Sequence, residues 1–156
     1  MNARLYAPAI APAAFKAVLQ LQTYVDNSGL EMSLQELVKM RASQINGCAF
    51  CLDMHAKDAR TAGESEARLY LLPAWRESPL YSDRERAALA WTEALTLVAD
   101  KGAPDDLYAE VRRHFSEKEL ADLTVLIGTI NVWNRMNVAF RTQHAVAAGD
   151  SGLRAA

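Results

Sequence analysis

At three predicted helix starts a serine is followed three residues later by a glutamate: Ser33 and Glu36, Ser82 and Glu85, Ser116 and Glu119. In that spacing each side chain can satisfy a backbone N–H near the other, closing two of the donors that a helix start leaves unpaired. Three such signals commit much of the chain to helix and leave little room for strands. Stop signals fall between them at Gly29, at Asn46 and Gly47, at Gly63 and at Gly102, while Pro12 and Pro104 suit first helical positions. The spacing predicts helices over 13–26, from 33 to 45, over 48–62, from 65 until Pro73 disturbs it, over 87–100, over 104–114 and over 120–147. The last is apolar on more than one face, through Leu123, Val125, Leu126, Ile127, Ile130, Val132 and Trp133, which predicts a central position or a subunit contact. The expected fold is all-α, with about seven helices in a single domain over residues 1–148 and a flexible tail at 149–156.

A length of 156 residues suits one core, and a 51% hydrophobic content can fill it. With 17 basic against 19 acidic residues and no basic stripe, the chain offers nucleic acid no electrostatic footprint. No apolar run approaches the roughly 18–20 residues of a membrane span, and residues 1–14 lack the charge and apolar pattern of a signal peptide. A cytoplasmic protein with no membrane partner is expected. No glycine-rich phosphate loop or dinucleotide fingerprint occurs, so no nucleotide cofactor is expected.

Cys48 and Cys51 are the two cysteines. A crosslink over so short a loop removes little unfolded-state entropy, and no second pair completes a zinc site. In a reducing compartment such a pair favours redox chemistry over a structural role. His55 follows four residues after Cys51, so steps of three and four place all three side chains on one helical face. A helix start also stabilises thiolate through its unpaired N–H groups, and a nearby histidine can shuttle protons near neutral pH. His114 and His144 have no spacing that ties them to this group, so no metal is expected. Glu36 reads as an ordinary capping-box residue, and the residues alone give it no catalytic role. Ser43 could bond into the site or cap a turn. Asn134 and Arg135 read as a buried polar contact or a subunit ion pair, and the tryptophans as core or interface.

ELVKMRAS at 36–43 and GCAFCLDMH at 47–55 resemble the core motif of the AhpD-like alkylhydroperoxidases, members of the carboxymuconolactone decarboxylase superfamily. The glutamate, eleven residues, CxxC, three residues and histidine match without a gap, and LYSDRERAALAW at 80–91 and INVWNR at 130–135 extend the likeness over about 10–147. The resemblance implies an AhpD-like fold and a cysteine-dependent peroxidase acting on alkyl hydroperoxides. One cysteine is oxidised to a sulfenic acid and the other condenses with it. Carried over, Cys51 would attack, Cys48 would resolve, and Glu36 and His55 would relay protons. The resemblance further implies no bound cofactor, an external thiol or disulfide reductant, and a homo-oligomer, either trimer or hexamer. Better-known peroxidase members carry a histidine immediately before the second cysteine, where this chain has Phe50. That difference keeps a second reading open, a thiol-disulfide oxidoreductase with weak peroxidase activity; a third reading, from another class, is a non-catalytic redox-responsive oligomeric module. The decarboxylase branch lacks the CxxC, which argues against lactone decarboxylation.

Overall fold

Two of the three serine-glutamate signals cap helices with both halves of the box formed, at Ser82 with Glu85 and at Ser116 with Glu119. The computed structural model describes residues 2–145. In chain order the helices are α1 (Ala7–Ile10), α2 (Pro12–Asp26), α3 (Met32–Asn46), α4 (Ala49–Thr61), α5 (Glu66–Leu71), α6 (Asp83–Thr96), α7 (Val98–Lys101), α8 (Asp105–His114) and α9 (Glu117–Phe140). A 3-10 turn at Leu72–Ala74 follows α5, where Pro73 was expected to interrupt it. Seven of the helices have six or more residues, and no strand occurs among the described residues. The all-α expectation holds. The proposed tail at 149–156 lies outside the described residues.

The third signal behaves differently. Helix α3 starts at Met32, one residue before Ser33, with Glu31 as its cap and no side-chain cap bond. Glu36 is therefore not a capping residue. Its carboxylate has stronger partners inside the protein, described below.

Helix α3 is the hub, packed against α4, α6 and α9. Every residue from Leu34 to Met40 is buried, so no face of this stretch is left for water. Val25, Leu34, Val38, Trp91, Phe115, Leu123 and Ile127 form one apolar cluster, joining α2, α3, α6 and α9 with the end of α8. Leu37, Met40, Leu69, Leu72, Trp75 and Leu89 form a second on the other side of α3. Leu37 and Leu89 are fully buried, and truncating either to alanine would cost about 2–5 kcal/mol.

Helix α9, expected at a central position or a subunit contact, packs against α2, α3, α4, α6 and α8 and buries Leu123, Leu126, Ile127 and Ile130 among them. It ends at Phe140, short of the expected 147. Arg141 takes a left-handed conformation at φ 54°, and its N–H bonds to Asn137 and Val138 carbonyls. The N-terminal segment finishes the cap, with the Arg4 N–H 2.9 Å from the Phe140 carbonyl and the Arg4 guanidinium 3.1 Å from that of Ala139. A helix end made by an arginine and a distant segment carries no local stop signal. Likewise the expected helix over 87–100 divides at Leu97 (φ −106°, ψ 36°) into α6 and the one-turn α7, with no proline or glycine to mark the break.

Candidate active site

The turn between α3 and α4 sets the site. Gly47 sits at φ 65°, a left-handed conformation that costs glycine little, and its N–H reaches the Ser43 and Gln44 carbonyls. The chain reverses within this residue, so Cys48 is already the cap of α4. The Cys48 N–H bonds to the Ser43 carbonyl at 3.0 Å, and the Cys48 sulfur accepts the Cys51 N–H at 3.3 Å. Cys48 and Cys51 are joined as a disulfide, with Cα atoms 5.4 Å apart. Both are buried.

One turn further along α4, His55 faces α3. Its Nδ1 lies 2.8 Å from Glu36 Oε2. The other carboxylate oxygen, Oε1, accepts from Lys39 Nζ at 2.9 Å, and Lys39 also lies 3.5 Å from Asp26 Oδ1. Glu36, Lys39 and His55 are all buried, while Asp58 stands at the exposed edge, 3.9 Å from His55 Nδ1. Burial pushes the Glu36 carboxyl upward. The His55 hydrogen bond, then the charges of His55 and Lys39, outweigh that and hold it below the usual carboxylate range. An ionised Glu36 accepting at Nδ1 fixes the tautomer in which Nδ1 carries the proton, leaving His55 Nε2 free to exchange one.

Behind the turn runs a buried polar chain. Lys39 supplies the carbonyl for the Ser43 hydroxyl, at 2.7 Å. Asn134 Nδ2 donates to Ser43 Oγ at 2.9 Å, and Asn46 Nδ2 donates to Asn134 Oδ1 at 2.9 Å and to Asn131 Oδ1 at 3.0 Å. Arg135 caps the chain at Asn131 Oδ1, 2.8 Å away. Ser43 and Asn134 thus clamp α9 to the last turn of α3 and hold the Gly47 turn in place. This is the buried polar contact expected of Asn134.

Cys51, His55, Glu36 and Lys39 share one wall of a cleft of about 950 Å3. The rest is largely apolar, with Phe15, Leu19, Phe50, Met54, Trp133 and Met136 among its lining. Cys48 is not among the lining residues, and neither are His114 and His144. Glu36, His55 and Asp58 bring donor atoms within 4.8 Å of one another, but the Lys39 ammonium already neutralises the carboxylate a cation would require. The group is better suited to moving a proton than to holding a metal. One contact had no signal in the motif spacing: Asn137, near the end of α9, donates from Nδ2 to Cys51 Sγ at 3.4 Å across 86 residues of sequence.

The sequence model of the carboxymuconolactone decarboxylase family matches residues 12–94, a span that includes Glu36, Cys48, Cys51 and His55. The chain belongs to that family. The carboxymuconolactone decarboxylase match ends within α6, so α9 and its Asn137 lie outside the matched span. Among its relatives is the uncharacterised protein YdfG of Bacillus subtilis, 43% identical over 145 residues, which covers 93% of this chain and 99% of that protein. A crystal structure of ATU0492 from Agrobacterium tumefaciens superposes with a TM-score of 0.91 at 51% identity, covering 93% of this chain and 99% of that one. ATU0492 is a protein of unknown function for which an AhpD role in antioxidant defence has been suggested. An uncharacterised peroxidase-related protein from Silicibacter sp. TM1040 shares the fold at a TM-score of 0.76 and 22% identity, over 88% of this chain and 73% of that one. The protein is thus an AhpD-like member of the family with a CxxC disulfide beside a glutamate-histidine pair. No described helix is long and apolar enough to cross a membrane.

Proposed function

We propose that this family member is a cysteine-dependent peroxidase that reduces organic hydroperoxides through Cys51, Cys48, His55 and Glu36. The observation that carries the reading is the placement of a dithiol sulfur, Cys51, and a carboxylate-oriented histidine in the wall of one cleft. In the reduced state the Cys51 thiolate attacks the terminal oxygen of the hydroperoxide. The O–O bond breaks, a proton delivered through His55 leaves with the departing alcohol, and Cys51 becomes a sulfenic acid. The Cys48 thiol then attacks that sulfur and water departs, leaving the disulfide found in the structure. An external thiol donor supplies the two electrons that restart the cycle.

The apolar lining favours a hydroperoxide with a sizeable apolar body over hydrogen peroxide. Phe50, also in the lining, supplies no proton at the dithiol and supports the second reading, a thiol-disulfide oxidoreductase that meets peroxide slowly. Tyr6 and Ile10, 70% and 68% exposed, fit burial against another copy of the chain, in line with a homo-oligomeric trimer or hexamer. Single replacements test the assignment. Cys48→Ser should accumulate a Cys51 sulfenic acid, and Cys51→Ser should not react with hydroperoxide; near-native turnover in both would overturn the peroxidase reading.

A further inference from the structure

We infer that Asn137 is a catalytic residue: its side-chain amide is the hydrogen-bond donor that stabilises negative charge on the Cys51 sulfur. The inference rests on the reading above in taking Cys51 as the attacking sulfur. Two sulfurs three residues apart have different partners here. Cys48 Sγ is held by a backbone N–H at the start of α4, 3.3 Å away, and is absent from the cleft lining. Cys51 is among the residues that line the cleft, and its Sγ receives Asn137 Nδ2 at 3.4 Å, from a different helix.

The placement of Asn137 is over-determined by its backbone. Its carbonyl accepts the N–H of Arg141 and that of Thr142 at 3.0 Å, and the Arg4 bonds to Ala139 and Phe140 fix the same helix end. The backbone that carries the amide is thereby fixed at this end of α9, on a short side chain within reach of the sulfur. Phe50, the cleft residue next to Cys51 in sequence, has no donor to offer, so the charge-stabilising contact comes from α9 instead.

A neutral N–H donor strengthens when its acceptor becomes charged. In the reduced protein the contact therefore favours the Cys51 thiolate over the thiol. After attack it can favour an ionised sulfenate over the neutral acid in the same way. No electrons or protons pass through Asn137. It lowers the energy of an anion that forms at a fixed point, which is how preorganised donors assist a reaction.

Asn137→Leu keeps much of the volume and removes the donor; Asn137→Asp keeps the shape and turns an acceptor charge toward the sulfur. The measurement is the pH profile of Cys51 alkylation by iodoacetamide in the fully reduced, full-length protein, read by peptide mass, alongside its rate with cumene hydroperoxide. Loss of a hydrogen bond to a charged acceptor predicts alkylation slower by about tenfold to a hundredfold at pH 7 for Leu, with the profile displaced to higher pH. The displacement should be at least as large for Asp, which decides the matter if the Leu variant does not fold. Profiles that coincide with the native one would overturn the inference and leave Asn137 as packing. A displaced profile in a protein that is inert to hydroperoxide would keep Asn137 as the thiolate donor and overturn the peroxidase reading alone.

Discussion

The imidazole Nδ1 of His55 lies 2.8 Å from Glu36 Oε2, although the two residues are 19 positions apart and sit on different helices. The Gly47 turn folds α4 back along α3, which turns a sequence separation into a contact. In the proposed peroxidase cycle a general acid-base pair held this way would contribute about 10²–10⁴-fold to the proton-coupled step. Glu36→Gln and His55→Asn should each slow hydroperoxide reduction by an amount in that range, measured as the second-order rate of the reduced protein. Rates within a factor of two of the native protein would mean that the pair serves the fold alone.

Lys39 makes a related prediction. Its ammonium occupies Glu36 Oε1 at 2.9 Å, and Glu36 is faced also by His55 and Asp58 from α4 and, through Lys39, by Asp26 of α2. Removing the cation with Lys39→Met lets burial raise the Glu36 carboxyl. The acidic limb of the rate-pH profile should then move to higher pH, and Lys39→Arg should restore it. An acidic limb unmoved in Lys39→Met would exclude this coupling.

The same group sets a sign for stability. Glu36 titrates below its ordinary value when folded, so below that value both states bind the proton and its ionisation contributes nothing. The contribution is present above the unfolded pKa of roughly 4.3 and is lost as pH falls through the lower folded value. Native and Glu36→Gln proteins should therefore differ in pH dependence of unfolding free energy across that acidic window. Parallel curves there would contradict the assigned direction.

Much of the fold was legible because its causes are local. Ser82, Ser116, Gly47 and Gly63 each act within a turn or two, and the structure uses them where the spacing put them. Glu36 reads as a capping residue from its spacing for a physical reason: a capping box and a buried, ion-paired glutamate can share the same residue type at the same position. The choice depended on Lys39 and His55, and only packing brings the latter close. Asn137 was illegible because its partner lies 86 residues away, and the breaks at Leu97 and Arg141 were missed because neither residue type signals a stop.

The polar chain behind the turn between α3 and α4 carries a stability prediction. Asn134→Leu removes the donor to Ser43 Oγ and the acceptor for Asn46, in a position with no exposure to water. Leaving such partners unsatisfied should cost about 1–3 kcal/mol, read as a lower denaturation midpoint with an unchanged denaturant slope. A midpoint equal to the native one would mean that the chain rearranges without loss.

The most direct test of the central claim counts thiols. Fully reduced protein is mixed with a modest excess of cumene hydroperoxide, and free thiols, sulfenic acid and cumyl alcohol are followed in time. The account predicts loss of two thiols for each alcohol formed, with a sulfenic acid trapped at Cys51 before the disulfide closes. Two thiols that persist in peroxide, yet are oxidised readily by a small disulfide, would contradict it and assign the Cys48–Cys51 pair to thiol-disulfide exchange.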